Sequence, residues 1–339
     1  MSIIGIACNP QSGKDIRRLL TAATTIDDME KLNILERILL SAAAVGDQKV
    51  YLMPDRLGYG RLLLQKRQSP GYPGDLSQLE VYDMERTETQ SDTIFFASEM
   101  ERIGADVLIV MGGDGTSRAA AKGTRHVPML SMSTGTNNVY PELMEGTVAG
   151  MAAAVLAGHM VPAAECARPA KFIEVWKNGS FVDLALIDLV FCRNPFVGSK
   201  AIWEYEEIDQ VVVTQCSMAS IGFSALVGTS LHVDREDDWG ASAEFTGGAP
   251  NTLAPMGAGT VRGVHIQNVC RLPLGEPVTR TMTYQGTLAL DGEREIFFQP
   301  GDVITCAVTR NGPMRVDARR AIEYARTHGC FQLRQEETA

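Results

Sequence analysis

The sequence predicts two dissimilar halves: an α/β domain with a parallel sheet, then an antiparallel β domain. Two observations carry this. Short apolar strands alternate with helical patterns through the first 140 residues, the order that places helices on both faces of a parallel sheet. After about Ala164, strand-like segments separated by turn signals dominate, the pattern of an antiparallel β domain. The chain of 339 residues suits two domains at ~150 residues each.

Ile3 to Cys8 is the first strand candidate. A helix follows with apolar residues Leu32, Ile34, Leu35, Ile38 and Leu39, and then a strand from Lys49 to Leu52. Residues 54–78 hold many Gly, Pro and Gln and read as a loop region with a short helix. Phe95, Phe96, Met100 and Ile103 are assigned to one helical face. Asp106 to Met111 reads as a buried strand, Ser117 to Lys122 as a helix ended by Gly123, and Pro128 to Met132 as the next strand. The longest uncharged run, Gly146 to Ala164, is rich in Ala and Gly and contains His159 and Pro162. It reads as a buried amphipathic helix rather than a membrane span.

In the second half the strand segments are Phe172 to Val175, Leu184 to Phe191, Val211 to Val213, Val261 to Ile266, Thr281 to Leu290, Ile296 to Gln299 and Val303 to Val308. Asn178-Gly179, Asp291-Gly292 and Pro300-Gly301 are turn signals,. The chain ends on a helix with Asp317 as N-cap, Ala321, Ile322 and Ala325 on one face, and Gly329 as its stop,. This helix could dock on either domain. The expected division is 1–140 with 317–339 as the α/β domain, 165–316 as the β-rich domain, and 141–164 as a connecting helix.

Hydrophobic residues make up 45% and charged residues 21%, an ordinary globular balance,. The formal net charge is −10, which disfavours a broad phosphate-backbone footprint, so no nucleic-acid partner is expected. A mononucleotide is still accessible to a few amides and one metal. The seven cysteines form no CxxC pair, and the N-terminus carries no basic leader. Both point to reduced, mostly packing cysteines in a cytoplasmic protein. The five His are scattered and make no zinc constellation.

The most informative stretch is Val107-Leu108-Ile109-Val110-Met111-Gly112-Gly113-Asp114-Gly115-Thr116. An apolar strand runs into three glycines around one aspartate, and a helical pattern follows. Glycines permit positive φ and let a ligand come close to the main chain. The helix N-terminus offers unsatisfied N–H groups to a phosphate. Parallel sheets bind ligands at this edge. An aspartate in such a cradle can accept a proton from an attacking hydroxyl or help hold Mg²⁺. The plain alternative is a glycine-rich turn capped by Asp114.

Two more loops belong to the same edge. Asn9-Pro10-Gln11-Ser12-Gly13-Lys14 follows the first strand. It is neither a Walker A loop nor a GxGxxG turn. Ser133-Thr134-Gly135-Thr136-Asn137-Asn138 follows the strand Pro128 to Met132 and supplies hydroxyls and amides. The acidic run Asp234 to Asp238 reads as a solvated loop with metal gathering as its alternative. Trp203 and Trp239 read as packing residues, with base stacking as theirs.

These loops, in this order, resemble those of the NAD kinase and diacylglycerol kinase superfamily. Ser133 to Gly150, Ile221-Gly222-Phe223-Ser224-Ala225 and Asn311 to Asp317 are similar to the acetoin-catabolism protein X branch of the ATP–NAD kinase-like proteins. The resemblance implies an NAD kinase-like N-terminal α/β domain, a β-sandwich-like C-terminal domain, and a final segment that returns to the first. It implies transfer of the ATP γ-phosphate to a hydroxyl, with Mg²⁺ as cofactor. NAD is the implied acceptor, through the 2′-hydroxyl of its adenosine ribose. The alternatives are a lipid or other small alcohol as acceptor, or a nucleotide-binding regulatory protein without turnover.

Carried over by residue, Asp114 is the implied base or metal-organising carboxylate, and Glu293 of Asp291-Gly292-Glu293 assists the acceptor or metal. Gly112, Gly113, Gly115 and Thr116 cradle phosphate. Asn9, Ser12, Gly13, Ser133, Gly135, Thr136 and Asn138 lie beside the nucleotide. Asp188 takes the place of a family Glu, while Ile187 replaces the family Asn. Gly257-Ala258-Gly259-Thr260 is a partial stand-in for the Gly-Ser-Thr-Ala-Tyr loop, and Val139 replaces the Asp of the lipid kinases. A homodimer or homotetramer, with no membrane span, completes the expectation.

Overall fold

The computed structural model describes residues 2–12, 26–72, 74–135, 138–193 and 207–333. The first part of the chain runs β1 (Ile3–Cys8), α1 (Asp28–Val45), β2 (Lys49–Leu52), α2 (Tyr59–Arg67), β3 (Leu79–Val81), α3 (Gln90–Arg102), β4 (Val107–Gly112), α4 (Asp114–Gly123), β5 (Met129–Ser133), α5 (Gly146–Ala157), α6 (Ala163–Cys166) and β6 (Ala167–Pro169). There follow β7 (Phe172–Lys177), β8 (Ser180–Ala185), β9 (Asp188–Cys192), β10 (Ile208–Val213), α7 (Phe223–Gly228), β11 (Trp239–Glu244), β12 (Thr252–Gly257) and β13 (Thr260–Val264). The chain closes with β14 (Gln267–Pro273), β15 (Val278–Thr281), β16 (Gly286–Leu290), β17 (Glu293–Phe298), β18 (Val303–Thr309), β19 (Met314–Val316) and α8 (Ala318–Thr327).

The α/β half is a seven-stranded sheet in the order β3-β2-β1-β4-β5-β19-β6. Its pairs are parallel except β19 with β6. On one face α1, α5 and α8 pack Leu35, Ile38, Ala153 and Ala321 over Ile6, Ile109 and Leu130. On the other, α3 and α4 pack Phe96, Met100 and Ala120 over Leu108 and Val110. Burial of these side chains is the main force that holds helix to sheet. Caps set the helix starts: Asp27 accepts from Glu30 N–H, and Asp317 accepts from Arg320 N–H.

The β-rich half is a six-stranded sheet, β14-β11-β10-β9-β16-β17, facing a four-stranded sheet, β15-β18-β7-β8. Leu189, Phe191, Val212 and Leu288 of the first meet Ile173, Val175, Ile304 and Val308 of the second. The opposite face of the six-stranded sheet is covered by α7 and the β12–β13 hairpin, through Leu226, Val227, Ala254 and Met256. The chain passes between the halves twice, at residues 170–171 and 310–313. The passages are bonded to each other, Ala170 N–H to Pro313 O at 2.9 Å and Gly312 N–H to Ala170 O at 3.1 Å.

Several expectations change. Strands β6 and β19, placed by sequence within 165–316, pair in the seven-stranded sheet. Residues 146–157 are buried on nearly all sides rather than amphipathic, because α1, α8 and the sheet enclose them. Phe95 is 48% exposed and does not share the buried face of Phe96 and Met100. Leu184 to Phe191 is two strands, and Thr281 to Leu290 contains a break before β16. Asn178-Gly179 and Asp291-Gly292 do form turns with positive φ. Among the described residues no helix is long and apolar enough to cross a membrane. The cysteines are free, and only Cys270 is exposed.

Candidate active site

Strands β1, β4 and β5 are parallel neighbours, so the loops that leave them meet at one sheet edge. Asn9 N–H bonds Met111 O, and Thr134 N–H bonds Gly112 O, both at 3.0 Å. The Asn9 amide donates to Thr116 Oγ1 at 2.9 Å. Ser12 and Thr134 share a hydroxyl bond of 2.7 Å. Asn138 Nδ2 donates to Ser133 Oγ at 2.7 Å. The first loop is tied from below by Lys31, whose buried ammonium donates to Pro10 O and Ser12 O. Gly13, Thr136 and Trp203 lie outside the described residues.

The glycines of the strand–helix turn serve by smallness rather than by positive φ. Gly113 has φ −101° and caps α4 in an extended conformation. A β-carbon on Gly113 would stand 2.8 Å from Asn138 Oδ1, and one on Gly115 3.2 Å from Glu293 Oε1. At Gly112 it would run into the Thr116 side chain, and at Gly135 it would lie 2.7 Å from Asn138 Nδ2. Each glycine therefore makes room for another residue singled out by sequence.

Asp114 opens α4, and its carboxylate accepts from Tyr140 N–H at 2.8 Å and from Val139 N–H at 3.1 and 3.2 Å. The acidic residue thus holds the loop after β5 against the helix N-terminus. Glu293 comes from the other half. Its Oε2 accepts from Gln90 Nε2 at 2.8 Å, at the start of α3.

What carries Glu293 there is a buried ionic contact that spacing alone does not reveal. Asp291 sits in the β16–β17 turn and accepts from Leu186, Ile187 and Asp188 N–H at 2.9, 2.7 and 3.2 Å. Its Oδ2 is 3.7 Å from Nε of Arg118, and both side chains are fully buried. Arg118 Nη1 also meets Asp183 Oδ2 at 3.3 Å, and Lys122 Nζ meets Asp183 Oδ1 at 2.7 Å. Burial pushes the Asp291 carboxyl up, against the pull of Arg118 and the three amides,. The turn is at once a hairpin and an anchor. The same amide bonds explain the break between β8 and β9.

A cleft of about 420 Å³ opens at this edge. Asn9, Gly115, Thr116 and Glu293 line it, joined by Arg56 and Arg86, which sequence reasoning missed. Their signal was faint: single arginines in a loop region. Asp55 beside them spends its carboxylate on the N–H groups of Leu57, Gly58 and Tyr59. Asp114, Asn138 and Asp188 are not among the lining residues. Asp188 is 7% exposed at the start of β9. Ile187 is buried and lines a second cavity instead.

Among the described residues no group of three His, Cys, Asp or Glu is placed to hold a metal ion. The Asp234 to Asp238 run is a loop tied by Arg310, which bonds the Asp238 carboxylate and the Glu236 and Asp237 carbonyls. Trp239 lies beneath the Arg271 guanidinium, 4.9 Å from its ring centre.

Residues 4–160 match the ATP-NAD kinase N-terminal domain, and residues 171–311 match the acetoin catabolism protein X C-terminal domain. The acetoin catabolism protein X of Cupriavidus necator is 33% identical over 336 residues, covering 96% of this chain and 93% of its own. Yeast NADH kinase, solved with NADH, superposes at a TM-score of 0.53 and 14% identity, over 100% of this chain and 90% of that one. A putative diacylglycerol kinase from Bacillus anthracis gives 0.45 at 11% identity, over 93% and 97%. The yeast enzyme shows a shared fold. Sequence identity over nearly the full length, with both halves matched in order, makes this chain a member of the acetoin catabolism protein X family of ATP–NAD kinase-like proteins.

Proposed function

We propose that the protein is an ATP-dependent phosphotransferase whose acceptor is the 2′-hydroxyl of the adenosine ribose of NAD. The observation that carries this is the cleft in which the first turn of α4, at Gly115 and Thr116, faces Arg56 and Arg86. A helix N-terminus opposite two guanidinium groups suits a polyphosphate. The acceptor oxygen attacks the γ-phosphorus, the bond to the β-phosphate oxygen breaks, ADP leaves, and the hydroxyl proton passes to Asp114. The protein acts mainly by positioning and by offsetting charge.

With no three-carboxylate cluster among the described residues, the donor set suits Mg²⁺ held largely by the phosphates themselves. Glu293, beside Gly115, would be a protein carboxylate at hand for that complex, and the ion would screen the phosphate charge.

A second reading is nucleotide binding without turnover. Two features favour it: the Asp114 carboxylate is occupied by two loop amides, and apolar Ile187 stands where the resemblance calls for Asn. Radiolabelled ATP offered with NAD, NADH, diacylglycerol or small alcohols, in Mg²⁺ or Mn²⁺, separates the readings. Label in NAD supports the proposal. Label only in another alcohol moves the acceptor, and tight ATP or NAD binding with no transfer favours the regulatory reading.

A further inference from the structure

A second cavity, of about 50 Å³, lies where β6, β19 and the 234–236 loop meet. At ~10–15 Å³ per water position it has room for a few non-hydrogen atoms. Its floor is apolar, built from Cys166, Ala170, Leu186, Ile187 and Val316. Its walls carry Arg168, Lys171, Arg235, Arg310, Arg315 and Arg320, together with Glu236 and Asp317.

Most of these cations are engaged. Arg235 and Arg315 meet Glu142, and Arg168 meets Glu236 at 3.2 Å. Arg310 meets Asp238 at 2.9 Å, and Lys171 donates to the Asp234 and Trp239 carbonyls at 2.8 Å. The Arg320 side chain, on an exposed residue at the edge of the cavity, has no ion pair or hydrogen bond among the described residues. The Tyr140 hydroxyl, on a residue 2% exposed, also has no hydrogen-bond partner there. Burial pushes that hydroxyl up to about 12 and the Lys171 ammonium down to about 8, the marks of a low-dielectric cavity,.

We infer that this cavity binds a short aliphatic carboxylate, its two oxygens answering Arg320 and the Tyr140 hydroxyl and its carbon chain lying on the Ile187 and Val316 floor. The six cations outnumber the four carboxylates that line the cavity or pair with them, Glu142, Glu236, Asp238 and Asp317, which suits an anion. An orphaned hydroxyl asks for an acceptor, since a buried polar group without a partner is costly. The apolar floor gives the carbon chain a surface to cover. A bare inorganic anion would use the cations and leave the floor unused.

The test is calorimetry on the full chain with acetate, propionate and butyrate, and with inorganic phosphate in parallel. Affinity is expected to rise with chain length until the cavity is full. Arg320→Ala should weaken binding by about tenfold or more, the scale of a charge-assisted bond. Tyr140→Phe should also weaken it, while the melting temperature of the free protein stays level or rises, because the change deletes a hydroxyl that bonds nothing. Absence of carboxylate binding overturns the inference, as does binding that Arg320→Ala leaves unchanged. Phosphate bound as well as any carboxylate, with no chain-length preference, means an adventitious ion only and also overturns it. None of these readouts depends on phosphate transfer, so the kinase reading can fail separately.

Discussion

Asp114 and the glycines around it give the sharpest residue-scale expectations. Asp114→Asn should lower turnover by about a hundredfold or more if the carboxylate takes the acceptor proton. ATP affinity, read by calorimetry, should change little. Near-normal turnover would leave Asp114 as the anchor of the 138–140 loop alone. Gly112→Ala should destabilise the protein by roughly 1–3 kcal/mol in urea melts, since its new methyl meets the Thr116 side chain,. Gly115→Ala needs only a small retreat of Glu293 and should raise KM for ATP more than it lowers stability. Motif order put the loops of Asn9, Thr116 and Asn138 at one sheet edge and the family resemblance added Glu293; Asn9, Thr116 and Glu293 line the same cleft. The partners of Asp114 were not legible, since backbone amides carry no sequence signal. Nor were Arg56 and Arg86, whose loop says nothing of where it folds back.

At the scale of elements, α4 is the joint between the halves. Arg118 is fully buried with Asp183 and Asp291 as partners. Arg118→Leu leaves buried Asp291 without its cation, while Asp183 keeps Lys122, and should cost about 3–5 kcal/mol in denaturant unfolding,. A loss under 1 kcal/mol would mean that the amides around Asp291 suffice. Strands β1, β2, β4 and β5 were legible because each is a short, largely apolar run beside a helical pattern; β3, Leu-Glu-Val, was not. β11 was not, as Trp-Gly-Ala-Ser-Ala-Glu is small and weakly patterned. β6 and β19 are three residues each, and pairing across the chain, not local preference, makes them strands. The split between β8 and β9 was hidden too, because its cause is Asp291, about a hundred residues away.

For the whole molecule, the return of β19 and α8 to the first sheet joins the chain's end to its beginning. Trp176, Trp203 and Trp239 all lie in the second half, while the long helices lie in the first and in α8. Fluorescence and far-ultraviolet helix signal therefore report on different halves. Their denaturation curves should coincide in the native protein, and separate curves would show the halves to be independent. The two-half plan was legible from the change in composition after Ala164; the return of α8 to the first half was implied by the family resemblance and not by its apolar face, which would suit either. The paired passages at 170–171 and 310–313 restrict how this body can move. Two tethers fastened side by side permit a swing about a single axis and resist twisting or sliding. Any swing that parts α4 from β8 must also draw Asp183 away from Arg118, so the enclosed gap admits solvent only along a path that first uncovers charge.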